Sequence, residues 1–434
     1  MIDEPTPART AATSPAATAA PAARPPTNGP DGRAATISRG LVGLLAVSTG
    51  LSAAAMYYAQ PLLDDIHTSL RISTGTAGLL VTVTQAGYLV ALCLLVPVGD
   101  LVARRRLIPL LVAGQAAALV VLATATSSAQ LFAGGVAVGV LSVAAQVGVA
   151  FAASLAGAAE RGKVVGTVMS GLLLGILLAR TVAGWLADLG GWRTPYWAAA
   201  AVQVALCVVL AVRLPREPPR PAGTPRYGEA VISVARLLRE EPVLRRRALY
   251  GAAAFGGFSA LWTPLSFLLS EAPYRYSAGV IGLFGLLGLM GVLAASGAGR
   301  AADRGRAGRV TVGSAVLLLV SWVPLGLGGH HLAGLVVGIL ALDLAVQALH
   351  ITNQSEIYRL RPEARSRLTA AYMATYFAGG LLGSLAADTA YSQGGWTAVS
   401  LTGAAFGLVA VAVAATDRRL RRAGSGHHSS SSGA

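Results

Sequence analysis

Gly99-Asp100-Leu101-Val102-Ala103-Arg104-Arg105-Arg106 and Gly299-Arg300-Ala301-Ala302-Asp303-Arg304-Gly305-Arg306 are two versions of one short basic segment, 200 residues apart. Each follows a long apolar run and precedes another. Further landmarks come after both copies in the same order. Arg161-Gly162-Lys163 begins 62 residues after Gly99, and Arg365-Ser366-Arg367 begins 66 residues after Gly299. Gly190-Gly191-Trp192 and Gly394-Gly395-Trp396 follow, with their tryptophans 93 and 97 residues beyond the starting glycines. Three landmarks in one order at nearly one spacing mark an internal duplication.

Around these landmarks, apolar runs long enough to cross about 30 Å of hydrocarbon at ~1.5 Å per residue recur with short breaks. Six lie between residues 41 and 212 and six between 248 and 415. Backbone polar groups inside lipid must be satisfied within their own segment, so such spans are helices. The sequence therefore predicts an all-α membrane protein, with twelve transmembrane helices in two six-helix pseudo-symmetric halves, an arrangement typical of transporters. Composition agrees. Of 434 residues, 54% are hydrophobic and 12% charged, and the mean hydropathy is +0.62. Soluble domains carry about 25% charged residues, so most soluble enzymes and disordered chains are excluded. Cys93 and Cys207 both lie in apolar runs and read as small packing residues, with neither a disulfide framework nor a metal cluster available from them.

The net charge of +15 would suggest nucleic acid in a soluble chain. Its distribution points elsewhere. With a cytoplasmic N-terminus, 30 Lys and Arg fall in cytoplasmic segments and three (Arg71, Arg193, Arg275) in outer loops, leaving Arg180 within a span. This bias places both termini inside and gives the charge a topological meaning, with no nucleic-acid partner.

The chain divides accordingly. Residues 1–37, rich in Ala, Pro and Thr, read as a disordered tail rather than a secretory signal, and 417–434 as a second tail. The N-terminal half spans 38–213 and the C-terminal half 248–416. Between them, 214–247 is a cytoplasmic connector. Apolar residues at Val231, Val234, Ala235, Leu237 and Leu238 give it a short amphipathic helix along the membrane surface.

These residues resemble the major facilitator superfamily, in particular its bacterial drug-efflux and antiporter-like branch, over about residues 40 to 415. The most specific element is a Gly-x-Leu-x-Asp-Arg-x-Gly-Arg loop. The first copy keeps Gly99, Leu101 and a basic run including Arg104, with Ala103 where the family acid is expected and Asp100 nearby; the second keeps Gly299, Asp303 and Arg304. The resemblance implies that these gating loops hold inner-side charge contacts. In the fifth helix, Gly175 to Gly184 is similar to the family's antiporter pattern, with Arg180 in place of proline. The fourth-helix arginine used by many family antiporters is replaced by Gly135. The resemblance implies a monomeric, multi-pass transporter of the bacterial plasma membrane that exports a small organic molecule or drug by alternating access, coupled to protons, with no cofactor. Import or uncoupled facilitation remains the alternative.

Charge at the bilayer centre is costly, so ionisable residues retained mid-span are functional candidates. Arg180, Asp343 and His350 qualify. Asp343, Gln347, His350 and Gln354 fall at i, i+4, i+7 and i+11, which places them on one helix face as a polar stripe fit for a proton or polar substrate. The plainer alternative is structural pairing, with Arg180 as counter-charge to Asp343. Gln85, Tyr88, Gln146, Tyr372 and Tyr376 are further mid-span groups able to line a cavity or to bond between helices. Tyr57-Tyr58 reads as an interfacial aromatic anchor, although similar Tyr-x-Gln-Pro segments occur in the efflux-like branch. A membrane-embedded enzyme or sensor is disfavoured: short loops offer no phosphate loop, metal spacing, nucleophilic triad or output domain.

Overall fold

The computed structural model describes residues 37–157, 160–216, 227–288, 300–360 and 365–429, and among them there is no β-strand. Helix α1 is Arg39–Ala54. It is followed by α2 (Thr74–Leu94), α3 (Arg104–Ala123), α4 (Ser128–Leu155), α5 (Arg161–Gly190) and α6 (Thr194–Arg213). The second half comprises α7 (Pro242–Ser270), α8 (Ala278–Leu287), α9 (Arg304–Leu327), α10 (Leu332–Ile357), α11 (365–393) and α12 (396–429). Among the described residues nine helices are long and apolar enough to cross a membrane. One of these, Arg367–Asp417, is broken where Gly394 and Gly395 leave helical geometry. With that break and the shorter apolar helices Arg39–Ala54 and Ala278–Leu287, the segments number twelve. Gly395 takes φ of 59°, which glycine adopts without steric cost, so the repeated Gly-Gly-Trp landmark is a tight turn between spans.

We call the face where α1 starts and α12 ends proximal, and the opposite face distal. A connector helix, Tyr227–Glu240, lies at the proximal end of α2, where the Tyr227 hydroxyl donates to the Leu94 carbonyl at 3.0 Å.

Two local features depart from an uninterrupted-span picture. The first apolar run does not continue as one α-helix. After Ala54 the chain tightens through i→i−3 bonds at Met56 and Tyr57, makes a 3-10 turn at Gln60–Leu62 and restarts as Leu63–Leu70. Pro61 lacks the N–H that would continue the ladder. The first helix of the other half breaks comparably at Thr263-Pro264. At the far end, backbone helix continues to Ser429, past the Asp417 at which the sequence suggests a tail; Arg418–Ala423 are strong helix formers without proline.

Small residues let the helices approach closely. A Cβ on Gly175 or Gly171 of α5 would overlap the backbone of α1 at Gly50 or Ala46, and one on Gly379 or Gly383 of α11 would overlap α7 at Ala252 or Gly256. Gly175 and Gly379 are 204 residues apart, the spacing of the two Gly-Gly-Trp turns, so the duplication in sequence is one in packing. Gly135 on α4 is surrounded by Leu80, Val83 and Thr84 of α2, which leaves no room there for a side chain as large as arginine.

Candidate functional site

Arg180 lies on α5 with 3% of its surface exposed. The turn after α1 and the distal part of α7 enclose it. Its Nε donates to Gln60 Oε1, and its guanidinium carbon lies 4.2 Å from the Trp262 ring centroid, 4.9 Å from Tyr57 and 5.5 Å from Phe258. Three aromatic faces around a desolvated guanidinium each attract it through the ring quadrupole. Helix α8 supplies the remaining wall with glycines. A Cβ on Gly285 would stand 3.1 Å from Arg180 Cβ, and Thr181 donates to the Gly282 carbonyl at 2.9 Å. The turn that follows α1 carries both Tyr57 and Gln60 to this site. Both Tyr57 and Tyr58 are 7% exposed, so the interfacial-anchor reading of this pair is corrected.

Asp343 of α10 is buried at 3% exposure and approaches the same face of α8 one turn further along. Its Oδ2 lies 3.2 Å from where a Gly288 Cβ would stand. Arg180 and Asp343 act on each other electrostatically but do not form an ion pair. Instead Arg180 Nη2 and Asp343 Oδ1 both lack hydrogen-bond partners. Unsatisfied buried donors and acceptors are rare in folded proteins and call for an explanation.

Toward the proximal face the stripe on α10 continues into a connected network. Gln354 Nε2 donates to His350 Nε2 at 2.9 Å, which leaves the ring proton on Nδ1 to donate to the Tyr372 hydroxyl at 3.1 Å. The Tyr358 hydroxyl bonds Gln354 at 3.3 Å. The Tyr376 ring lies 4.8 Å from His350 and stacks on Phe255 at 4.3 Å. Gln347 is half-buried on the same face. Opposite, Gln146 donates to the Tyr88 hydroxyl at 3.2 Å, Tyr88 packs on Phe377 at 4.5 Å, and Gln85 donates to Ser259 at 3.3 Å. Of the sequence candidates, Arg180 and Asp343 meet at α8, His350, Tyr372 and Tyr376 cluster within the second half, and Gln85 and Tyr88 of the first half reach Ser259 and Phe377 of the second, with Gln146 bonded to Tyr88. Among the gating-loop residues, Gly99 packs against Val147, Arg104 opens α3 and Arg304 is exposed. Gly299 and the side chains of Asp100 and Asp303 lie outside the described residues.

Arg247 is missed by sequence reasoning, which counts it with the basic connector. It is 3% exposed at the start of α7, with Nη1 on Thr311 Oγ1 at 2.8 Å and on Asn353 Oδ1 at 3.4 Å, and Nη2 on Glu356 Oε2 at 3.3 Å. Asn353 and Glu356 follow His350 on α10, and that was the available signal.

The distal ends of the halves are locked together. Asp188 of α5 accepts from Ser277 Oγ at 2.8 Å and from the Gly279 N–H at 3.0 Å, at the start of α8. Across the molecule the Asp388 carboxylate of α11 lies against Gly78 at the start of α2, and Ser384 bonds both Thr82 at 2.9 Å and Thr263 at 3.0 Å. Beside the first lock, partial burial and then the charges of Asp64 and Asp188 raise the Asp65 carboxyl above its ordinary value.

A twelve-helix, two-half molecule with buried charge between its halves narrows the family, and the sequence profile of the Major Facilitator Superfamily matches residues 45–359. The chain belongs to the major facilitator superfamily. YgaY of Escherichia coli strain K12, named as a transporter, is 46% identical over 373 residues, covering 86% of this chain and 94% of that protein. SCO4007 of Streptomyces coelicolor, also named as a transporter, is 34% identical over 397 residues, covering 91% of each. Among solved structures, a mutant form of the nucleoside transporter NupG superposes with a TM-score of 0.67 at 12% identity, over 87% of this chain and 98% of that one. A bacterial homologue of the human lysosomal transporter Spinster, in an inward-facing and occupied conformation, gives 0.68 at 12% identity, over 87% and 95%. The superfamily chain is thus a multi-pass membrane transporter of small molecules rather than an enzyme, and the structural likeness carries the fold.

Proposed function

We propose that this superfamily member exports a small organic molecule across the plasma membrane by alternating access, in exchange for protons, with Asp343 as the proton-carrying group and Arg180 as its electrostatic partner. The observation that carries this reading is Asp343 itself: buried at the meeting of the halves, with Oδ1 unpartnered, one helical turn along α8 from a buried arginine. An ionised carboxyl there is costly unless compensated, so proton binding and the approach of positive charge are alternative ways to satisfy it. Such competition is the thermodynamic basis of exchange. The Gln354–His350–Tyr372 network, proximal to Asp343, supplies a polar route for the proton.

The basic-residue bias supports a cytoplasmic proximal face, and on that orientation the distal locks close the outside. A Cys placed at His330 would then react with an impermeant thiol reagent from outside while one at Gly223 would not; the reverse pattern overturns the orientation. Exchange is tested with purified protein in proteoliposomes, using a panel of labelled compounds with and without an imposed pH gradient. A compound whose movement against its gradient requires the proton gradient supports the reading. Movement only down its own gradient, indifferent to pH, would make the protein a facilitator.

A further inference from the structure

Three buried hydrogen-bond donors around Arg180 have no partner: Arg180 Nη2, Trp262 Nε1 and Ser266 Oγ. All three side chains line one small space, together with Gln60, Pro61 and Leu265, and its volume is about 10 Å³. The donors come from both halves, Arg180 from α5 and Trp262 and Ser266 from α7. One turn away along α8, Asp343 Oδ1 is a buried acceptor that also lacks a partner. Trp262 stands between the two ends, its indole N–H near the Asp343 carboxylate but outside hydrogen-bond geometry. The centre of the molecule therefore holds an unfilled donor set and an unfilled acceptor side by side, with aromatic faces from Tyr57 and Phe258 beside the donor end.

The geometry points to a zwitterionic substrate, a small organic molecule bearing both a carboxylate and an amine, with its carboxylate taken by Arg180 and Ser266 and its ammonium by Asp343. This assignment rests on the reading of Asp343 as the proton carrier. A planar guanidinium with a free N–H edge is suited to a carboxylate, and the Ser266 hydroxyl adds a neutral donor for its second oxygen. An anion alone would leave Asp343 beside a second negative charge, and a cation alone would leave Arg180 Nη2 unfilled. A zwitterion satisfies both without changing the net charge of the site. It also supplies the antiport logic: the substrate ammonium and the proton compete for the same carboxylate, so loading one releases the other. In the present closed arrangement the space holds no more than a single water-sized group, so the substrate's carboxylate enters only when the halves separate.

The test uses the full-length protein in detergent and its thermal unfolding midpoint. The probes are the twenty α-amino acids, β-alanine and 4-aminobutanoate, each compared with the amine lacking the carboxylate and the acid lacking the amine. At least one zwitterion is expected to raise the midpoint at millimolar concentration, and its single-charge analogues to need about tenfold or more higher concentration, because each leaves one buried group unpaired. Arg180→Gln should remove the advantage of the zwitterion over its amine, and Asp343→Asn the advantage over its acid. Arg180→Lys, which keeps the charge without the planar fork, provides the same comparison if Arg180→Gln does not fold. If no zwitterion shifts the midpoint, or if either single-charge analogue equals its parent, the assignment is wrong. Proton coupling is read separately. Coupled transport of a compound without both charges would sink this assignment and leave the proposed function standing, whereas zwitterion binding with pH-indifferent transport would do the opposite.

Discussion

Asp188 and Gly279 join the two halves of the molecule: a carboxylate oxygen at the distal end of α5 accepts the Gly279 N–H, in the first turn of α8, at 3.0 Å. The contact has a counterpart. Ser73-Thr74-Gly75-Thr76-Ala77-Gly78 opens α2 and Ser277-Ala278-Gly279-Val280-Ile281-Gly282 opens α8, 204 residues apart, and each serine caps its helix by accepting from the residue three positions on. Each start faces an aspartate of the other half, Asp388 at Gly78 and Asp188 at Gly279, where a Cβ would meet the carboxylate. Exposed N–H groups and the helix dipole favour negative charge at these positions.

Removing one lock should therefore favour opening on the distal side. Asp188→Ala deletes two charge-assisted bonds, worth about 2 kcal/mol together after solvent replaces them, roughly a thirtyfold change in the ratio of closed to open states. In a background lacking Cys93 and Cys207, a Cys at the buried Ser266 should react faster with an impermeant thiol reagent once Asp188 is removed. An unchanged rate would show that other contacts, such as Ser384 with Thr82 and Thr263, hold the distal side closed alone.

Gly175→Val should be severely destabilising, because its side chain would enter the backbone of α1 at Gly50. Gly43→Ala, with open space around that position, is the control and should leave the unfolding midpoint within experimental error. Equal midpoints for both variants would mean that α1 and α5 are not packed backbone to backbone.

Arg247→Met should cost about 2 kcal/mol, since it removes the buried guanidinium bonds to Thr311, Asn353 and Glu356, while Glu356, 22% exposed, keeps Arg359 at 3.5 Å. Adding Glu356→Gln should restore part of the loss, a coupling read by a double-mutant cycle of unfolding midpoints. Simple additivity of the two changes would mean that the pair does not interact.

Much of this architecture was legible in sequence because membrane constraints are strict. Span length follows from the cost of polar backbone in lipid, and the duplicated Gly-Gly-Trp turn from the backbone freedom of glycine. The face shared by Asp343, His350 and Gln354 was legible because helix periodicity alone sets it. What was not legible depends on how helices meet. Arg247 sits at the edge of a basic connector, and only packing of α7 against α9 and α10 buries it. Tyr57 and Tyr58 carry the composition of an interfacial anchor, yet both are buried and Tyr57 packs against Arg180. Pairing of Arg180 with Asp343 was the structural alternative to a transport role. The structure places them one turn apart along α8 with a free atom on each, an arrangement no spacing rule reveals.

The central claim, that Asp343 carries the proton exchanged for substrate, is tested most directly by proton flux in proteoliposomes holding a trapped pH-sensitive dye. For a substrate found in the labelled panel, adding substrate should move protons through the parent protein, with transport varying across the pH range. In Asp343→Asn that proton movement should vanish and the transport profile become flat with pH, while exchange of substrate down its own gradient persists, because a neutral amide cannot cycle a proton. Substrate-driven proton movement of undiminished size in Asp343→Asn would contradict the account.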